Sequence, residues 1–286
     1  MSASETITVR GLHVPAMLYG TAWKEDATAE HVTRALAAGF RGIDTANQRK
    51  HYYEEGVGKA LAAALTAGTV QRGQLFLQSK FTYRDGQDER LPYDPAAPIA
   101  EQVAQSFHSS LAHLGVDHLD SLVLHGPSQR DGLGDDDRAA WRAMEALVSA
   151  GQVSLLGISN VTARQVAELA AFASVPCAFV QNRCYAERGW DRAVREVCAK
   201  HKIVYQAFSL LTANRAVMTC PALAPISKKH GKTAPQVLFR FAQQMGMLPL
   251  TGTTDPAHMA QDLAIGMFKL DAQELATIDT IADQKR

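Results

Sequence analysis

Short hydrophobic runs alternate with longer segments of helical period along most of this chain, from about Ala16 to Leu250. No Pro-, Gly- or Ser-rich linker interrupts the alternation, which predicts one domain over residues 1–286. The short runs are rich in branched and aromatic apolar residues, as buried strands are. They predict eight strands, over Ala16–Tyr19, Arg41–Asp44, Leu75–Lys80, Ser121–His125, Ser154–Ser159, Ala178–Gln181, Ile203–Ala207 and Met247–Leu250.

The segments between these strands carry helix-start signals. Thr162 with Gln165, and Thr233 with Gln236, have the spacing of capping boxes. The acidic run at 135–137 places negative charge where a helix N-terminus favours it. We therefore expect helices after the strands that precede these signals.

Residues 99–114 show the helical period most clearly. Apolar Val103, Phe107, Leu111 and Leu114 recur every three or four positions, which predicts an amphipathic helix that packs on a sheet. Strands joined by helices of this length form parallel sheets, and eight such units close into a barrel. The predicted fold is α/β, a (β/α)8 TIM barrel with short extra C-terminal helices.

The main alternative fold is a doubly wound open sheet that binds a dinucleotide. That fold needs a GxGxxG turn directly after its first strand, and this chain has none there. Gly231-Lys232-Thr233 resembles the end of a phosphate-binding loop, but Ile226 stands where the loop needs glycine. We interpret these residues as the end of one helix and the cap of the next.

A barrel carries its chemistry at the carboxyl ends of its strands, so the residues at the predicted strand ends are candidates for a site. Three are ionisable: Asp44 ends the second strand, Lys80 the third and His125 the fourth. Each has an ordinary structural explanation on its own, as a turn residue or a solvated side chain. An acid, an amine and an imidazole at adjacent strand ends are together more typical of an active site. Later strands end in Ser159, Asn160, Gln181, Asn182, Phe208 and Ser209.

Composition and charge narrow the classes of function. Of the 286 residues 47% are hydrophobic and 20% are charged, which excludes a disordered or coiled-coil chain. Lys+Arg and Asp+Glu both number 29, so no basic excess favours nucleic acid or an anionic membrane. The sequence shows neither a secretion signal nor a membrane span, so a cytoplasmic protein is expected. The four cysteines have no metal-binding or disulfide spacing, and no metal is expected.

Several motifs that include these residues resemble those of the aldo-keto reductase family, and the resemblance extends over nearly the whole chain. The resemblance implies a (β/α)8 barrel that reduces aldehydes or ketones to alcohols with hydride from NAD(P)H. It also implies a catalytic tetrad of Asp, Tyr, Lys and His, into which Asp44, Lys80 and His125 fit. The motifs that carry it are, in chain order, GFRGIDTA, EEGVGKAL, LFLQSK, LDSLVLHGP, LLGISN, FVQN and TGTTDPAHMAQDL.

The resemblance also implies a separate role for each residue of the tetrad. The tyrosine donates a proton to the substrate oxygen, and His125 adds a second hydrogen bond to that oxygen. An ammonium on Lys80 beside the tyrosine favours the phenolate, and Asp44 keeps that ammonium charged and oriented.

The spacing of the motifs does not decide which tyrosine belongs to the tetrad. The family places it five residues after the Asp, where this chain has Arg49, and counting back from the next Val-Gly pair reaches His51. Tyr52 is the nearest tyrosine and is predicted to be the general acid, with Tyr53 as the alternative. Trp23 and Tyr53 are predicted to line the substrate pocket.

Matching positions imply a nicotinamide cofactor, NADPH with NADH as the alternative. Ser159, Asn160 and Gln181 match residues that bond its carboxamide, and Phe208 matches a tyrosine that stacks on its ring. Because Gly252 replaces the lysine of NADPH-preferring members, weak selection for the 2′-phosphate is expected. His258 replaces their arginine, to the same effect. The other cofactor positions are Gly20, Thr21, Ser209, Leu211, Thr253 and Asp262.

The expected partner is a small-molecule carbonyl compound, taken by a monomer or a small homo-oligomer. The polar segment 83–95 either rims the pocket or forms a solvated loop, and we expect the loop. Two other functions remain open. Lys80 could be the nucleophile of a Schiff-base aldolase, although a carboxylate partner would keep its amine protonated. The chain could also be a non-catalytic nucleotide-binding regulatory subunit.

Overall fold

A computed structural model describes residues 5–282 of the chain, and eight parallel strands form a closed barrel in this part. The predicted barrel is confirmed, and each predicted strand is present with its ends displaced by at most two residues. A short antiparallel hairpin precedes the barrel, with strands β1 (Thr6–Val9) and β2 (Leu12–Pro15). The barrel strands are β3 (Leu18–Gly20), β4 (Gly42–Asp44), β5 (Phe76–Phe81), β6 (Leu119–Leu124), β7 (Val153–Ser159), β8 (Phe179–Arg183), β9 (Val204–Phe208) and β10 (Met247–Thr251).

Helices follow the strands and surround the barrel, and their starts agree with the sequence signals. The Thr162 and Thr233 side chains both accept hydrogen bonds in capping boxes, as predicted, and one helix begins at Asp135. The described helices are α1 (Thr28–Ala38), α2 (Glu54–Thr66), α3 (Ile99–Leu114), α4 (Asp135–Ser149), α5 (Ala163–Phe172), α6 (Arg192–Lys200), α7 (Arg215–Met218), α8 (Leu223–His230), α9 (Ala234–Gln244), α10 (Pro256–Leu263) and α11 (Ala272–Asp279).

The β1–β2 hairpin, which the strand pattern did not predict, covers the amino-terminal end of the barrel. Val9 and Val14 are buried on it. They belong to an apolar cluster with residues at the starts of the barrel strands, among them Leu18 and Phe76. The end of the barrel opposite the candidate site is therefore filled with hydrophobic side chains.

Helices α2 and α3 approach each other closely at Gly58. A Cβ atom at this position would lie 2.0 Å from the backbone oxygen of His113, so only glycine fits. The larger apolar cluster lies between the helices and the barrel and includes Phe107 and Trp141. Within residues 5–282, no helix combines the length and the apolar character needed to cross a membrane.

Candidate active site

A cavity of about 1100 Å³ opens at the carboxyl ends of the barrel strands. Tyr83, Arg84, Asp85 and Gly86 also line it, so the start of the 83–95 segment rims the cavity and is not only a solvated loop. The structure brings most of the predicted site residues to its wall. These are Gly20, Trp23, Asp44, Tyr52, His125, Ser159, Asn160, Gln181, Phe208, Ser209, Leu211, Gly252 and Thr253.

Five predicted site residues are not among those that line this cavity. Lys80 and Thr21 are buried below it, and Thr21 Oγ1 donates to the backbone oxygen of Asp44 at 3.0 Å. Tyr53, expected in the substrate pocket, instead precedes α2, where its ring lies 4.2 Å from the Arg49 guanidinium. His258 is exposed on α10, and Asp262 is buried, where it accepts a bond from Thr251 Oγ1 at 2.7 Å.

The centre of the site is a buried ion pair between neighbouring strands. Lys80 has no exposed surface, and its Nζ lies 2.8 Å from both carboxylate oxygens of Asp44. A third bond of 2.8 Å goes to the backbone oxygen of Thr45, so the three ammonium hydrogens are all used. Burial lowers the pKa of Lys80, and the Asp44 carboxylate opposes this. The geometry is that of a fixed, fully bonded ammonium.

Tyr52 lies over this pair, on the loop between β4 and α2. Lys80 Nζ is 5.1 Å from the centre of the Tyr52 ring. Among residues 5–282, the hydrogen-bond partners of Nζ are Asp44 and Thr45, and the Tyr52 hydroxyl is not one of them. Burial raises the pKa of Tyr52, and the negative charge of Asp44 raises it further. The expected shift towards phenolate is therefore absent, because burial and Asp44 both raise the pKa, and Tyr52 is a protonated phenol.

His125 is the second polar group beside Tyr52. The two rings meet edge to face, with centres 5.8 Å apart. Burial lowers the pKa of His125 well below its usual value, and the positive charges of Lys80 and His51 lower it further. The imidazole is therefore neutral and carries one N–H and one acceptor nitrogen.

Thr82, which the sequence analysis did not single out, bonds this imidazole. Its Oγ1 is 2.7 Å from His125 Nδ1. If the hydroxyl donates to Nδ1, the proton of the ring is on Nε2, where it can serve a ligand. The sequence signal is weak, since threonine at a strand end is common. The strand register brings β5 and β6 together and sets this contact.

Two further buried residues that the sequence analysis missed are Gln78 and Gln206. Gln78 Nε2 donates to Asp44 Oδ1 at 2.7 Å and to Gln206 Oε1 at 2.8 Å. Gln78 is two residues before Lys80 and so projects from the same face of β5. A polar residue inside the apolar run LFLQSK was the signal that could have revealed it.

The residues at the ends of β7, β8 and β9 fit the amide and ring of a nicotinamide. Ser159 Oγ donates to the backbone oxygen of Gln181 at 2.6 Å, and Asn160 Nδ2 donates to the His125 backbone oxygen at 2.8 Å. These bonds hold both side chains at the cavity wall. Phe208 adds an aromatic face to that wall. Amide and hydroxyl groups beside an aromatic face provide the hydrogen bonding and stacking that a pyridine carboxamide needs.

Lys24 lies beside the turn after β10, where Gly252 replaces the lysine of NADPH-preferring members. Lys24 is 8% exposed, and its Nζ donates to the backbone oxygen of Gly252 at 2.8 Å. The same Nζ is 3.6 Å from the position of a Cβ atom at residue 252. Asp255 caps α10 by accepting from the backbone N–H of Ala257 at 2.7 Å. Lys24 and Asp255 thus lie beside Gly252 and α10, and neither is among the residues that line the cavity.

The fold and the site together define a class of protein: a barrel enzyme with a buried acid–ammonium pair, a phenol and an imidazole at its mouth. A family model described as the aldo/keto reductase family matches residues 16–283. The chain belongs to the aldo/keto reductase family, whose members are NAD(P)H-dependent oxidoreductases, and the resemblance seen in the motifs is confirmed.

Known proteins are similar to the chain over nearly its full length. The 7-acetyl-epi-neemfruitin B aldo-keto reductase of Melia azedarach is 28% identical over 97% of this chain and 88% of its own. Aldo-keto reductase family 1 member A1 of Rattus norvegicus is 26% identical over 98% and 90%. An aldo/keto reductase from Brucella melitensis has a TM-score of 0.82 at 26% identity, over 97% and 99%. A Bombyx mori aldo-keto reductase solved in complex with NADP has the same fold, with a TM-score of 0.82 at 23% identity over 98% and 93%.

Proposed function

We propose that the protein reduces small aldehydes or ketones to alcohols, with NADPH as the cofactor and NADH as the alternative. The observation that carries the proposal is the buried Asp44–Lys80 pair beneath Tyr52 and His125 at the barrel mouth. When bound, the cofactor supplies the hydride that the carbonyl carbon receives. The protein must then hold the substrate oxygen and donate a proton to it.

Tyr52 is the proton donor in this proposal. Its raised pKa keeps the phenol protonated, which is the form that a general acid needs. Lys80 stays charged between Asp44 and Thr45, and at 5.1 Å from the ring it stabilises the phenolate that is left after transfer. Lys80 thus acts on the phenolate through its positive charge and not through a direct hydrogen bond.

His125 orients the substrate oxygen. A neutral imidazole with its proton on Nε2 donates one hydrogen bond without competing for the proton that Tyr52 delivers. The Thr82 hydroxyl, 2.7 Å from Nδ1, favours that form when it is the donor. Two donors on one oxygen fix its position relative to the cofactor, which lowers the barrier by orientation.

The cofactor is held along the β7, β8 and β9 ends and the turn after β10 in this proposal. Ser159, Asn160 and Gln181 bind the carboxamide, and Phe208 stacks on the ring. The positions that the resemblance implies for the phosphates and the adenosine are also present, although Gly252 and His258 depart from the lysine and arginine of NADPH-preferring members. We assign these contacts to Gly20, Thr21, Ser209, Leu211, Gly252, Thr253, His258 and Asp262.

The Schiff-base aldolase is the weaker alternative. A nucleophilic lysine needs a free amine, but all three hydrogens of Lys80 are bonded to Asp44 and Thr45. No observation favours that chemistry. The regulatory-subunit alternative shares the cofactor site, and it differs only in lacking turnover.

The test compares two neighbouring tyrosines. Tyr52→Phe is expected to lower kcat for an aryl aldehyde at least about a thousandfold, since a general acid is lost, while the Kd for NADPH changes less than about threefold. Tyr53→Phe is the matched control, because its ring contacts Arg49 outside the cavity, and it is expected to retain wild-type kcat.

Steady-state assays with NADPH and NADH, and cofactor titration by intrinsic fluorescence, measure these effects. Retained turnover in Tyr52→Phe, with loss in Tyr53→Phe, would assign the acid to the other residue. Cofactor binding without turnover of any carbonyl by the wild type would support the regulatory subunit instead.

A further inference from the structure

The barrel interior beneath the ion pair holds three glutamines whose side chains bond to one another and to Asp44. Gln78 and Gln206 have no exposed surface, and Gln181 is almost as deeply buried. The strand register pairs Asp44 with Gln78, and Gln181 with Gln206. Strands β5 and β9 are on opposite sides of the closed barrel, so these amides bridge its interior.

The carboxylate determines which way each amide points. An ionised Asp44 can only accept hydrogen bonds, and its Oδ1 lies 2.7 Å from Gln78 Nε2 and 3.0 Å from Gln181 Nε2. Both amides must therefore turn their NH2 groups towards it. Gln206 Oε1 then lies 2.8 Å from each of these NH2 groups, and Gln206 Nε2 donates to Gln78 Oε1 at 3.0 Å. One charge thus sets three amide orientations.

The consequence reaches the cavity wall through Gln181. Both of its amide hydrogens are used, by Asp44 and by Gln206, so its Oε1 is the amide atom without a protein partner among residues 5–282. Gln181 lines the cavity. A carbonyl oxygen held in this way accepts an N–H from a ligand and disfavours a ligand group that offers only lone pairs.

We infer that Gln78 and Gln206 are positioning residues that fix the Gln181 amide with its oxygen towards the cavity, so that the site selects a cofactor ring bearing a carboxamide. The inference rests on the proposed function, since it concerns the same cofactor site. Neither residue touches the ligand. Gln206 acts through its bond to Gln181. Gln78 acts by bonding to both Gln206 and Asp44, which holds their side chains in place.

The experiment compares two cofactors that differ at one group. NADPH carries a carboxamide, whereas reduced acetylpyridine adenine dinucleotide phosphate carries a methyl ketone, which has no N–H to donate. Intrinsic fluorescence titration gives a Kd for each. The wild type is expected to bind NADPH about tenfold more tightly than the analogue, as one discriminating hydrogen bond allows.

Gln206→Met keeps the side-chain volume and removes the amide. It is expected to lower the discrimination ratio to about twofold, because the Gln181 amide then keeps only its 3.0 Å bond to Asp44 and can pivot about it. Gln181→Met is expected to lower the ratio to the same value. Adding Gln206→Met to Gln181→Met is expected to change it no further, since both act through one bond.

The controls separate orientation from general loss of stability. Ser121 is opposite Gln78 in the strand register, and its buried hydroxyl has no hydrogen-bond partner within residues 5–282. Ser121→Ala is therefore expected to leave the ratio unchanged. The double variant with Gln78→Met and Gln206→Met replaces both bonded amides together. It leaves fewer buried polar groups without a hydrogen-bond partner than Gln206→Met alone. This double variant provides the ratio if Gln206→Met does not fold.

Failure of the inference and failure of the proposed function give different results. An unchanged ratio in Gln206→Met, or equal further loss in the Gln181→Met background, overturns the positioning role. Wild type that binds neither cofactor, or that binds NADPH but reduces no carbonyl compound in a broad panel, overturns the proposed function instead. The binding ratio needs no turnover, so the two results are read separately.

Discussion

The contact between Thr82 and His125 shows how a single hydroxyl can set the chemistry of a neutral imidazole. With its pKa lowered, His125 carries one proton, which can sit on either ring nitrogen. The Thr82 oxygen at 2.7 Å from Nδ1 is the nearest group that can decide between them. Ring orientation and tautomer are then both tied to this hydroxyl.

Replacing Thr82 tests this assignment. Thr82→Val keeps the shape and removes the hydroxyl, and we expect kcat/KM for an aldehyde to fall by about tenfold to a hundredfold. Thr82→Ser restores the hydroxyl and should restore most of the activity. Nitrogen-15 NMR of the His125 ring reports the tautomer, and a Thr82→Val enzyme with the wild-type tautomer and rate would contradict the assignment.

At the scale of single residues, the sequence revealed charges better than it revealed their partners. Asp44, Lys80 and His125 stand out because each ends an apolar strand, and the structure places all three together. Thr82 and Gln206 are residue types found in many strands. Their partners follow from the register between strands that are far apart in sequence, which no local pattern encodes.

The pairing of α2 with α3 depends on the absence of a side chain at one position. Gly58 meets the backbone of His113, and backbone atoms cannot rotate away as a side chain can. The two helices can therefore pack this closely only over glycine. Both helices flank strands that end in site residues, α2 following the Tyr52 loop and α3 preceding β6.

Gly58→Ala is expected to push these helices apart and to destabilise the protein by about 3 kcal/mol or more, at the upper end of overpacking costs. Gly73→Ala is the matched control, because a Cβ atom there meets nothing within 4 Å. Thermal unfolding measures both. Equal melting temperatures for the two variants would show that the helices can separate without cost.

The eight barrel strands were predictable because buried parallel strands read as short apolar runs. The β1–β2 hairpin was missed because its strands are only four residues each and largely exposed. Its turn has positive φ at both Arg10 and Gly11, 47° and 88°, as tight two-residue hairpin turns require. Arg-Gly between the short tetrads TITV and LHVP was therefore the available signal.

For the molecule as a whole, Asp262 couples stability to pH. Burial raises the pKa of this carboxyl to about 6, and the bond from Thr251 opposes the shift only in part. In the unfolded chain an Asp titrates near ~3.9. Between these values the folded protein keeps a proton that the unfolded chain loses. The free energy of unfolding therefore falls as the pH rises from about 4 to about 6.

Asp262→Asn removes this titration while it keeps an acceptor for Thr251. We expect the variant to be more stable than the wild type at pH 7 by roughly 1–3 kcal/mol and to match it near pH 3.5. Chemical denaturation across this pH range measures the difference. Glu89→Gln, on an exposed residue, controls for the loss of one negative charge, and a constant offset at all pH values would contradict the prediction.

The ion pair between Lys80 and Asp44 lies where dissolved salts cannot enter, with neither side chain more than 4% exposed. Mobile ions weaken charges that face the solvent, but a pair enclosed in protein keeps its field. In the proposed reaction, the charges that support proton transfer are thus insulated from the medium. The ionic composition of the surroundings would alter how ligands arrive at the mouth, and leave the chemistry below it unaffected.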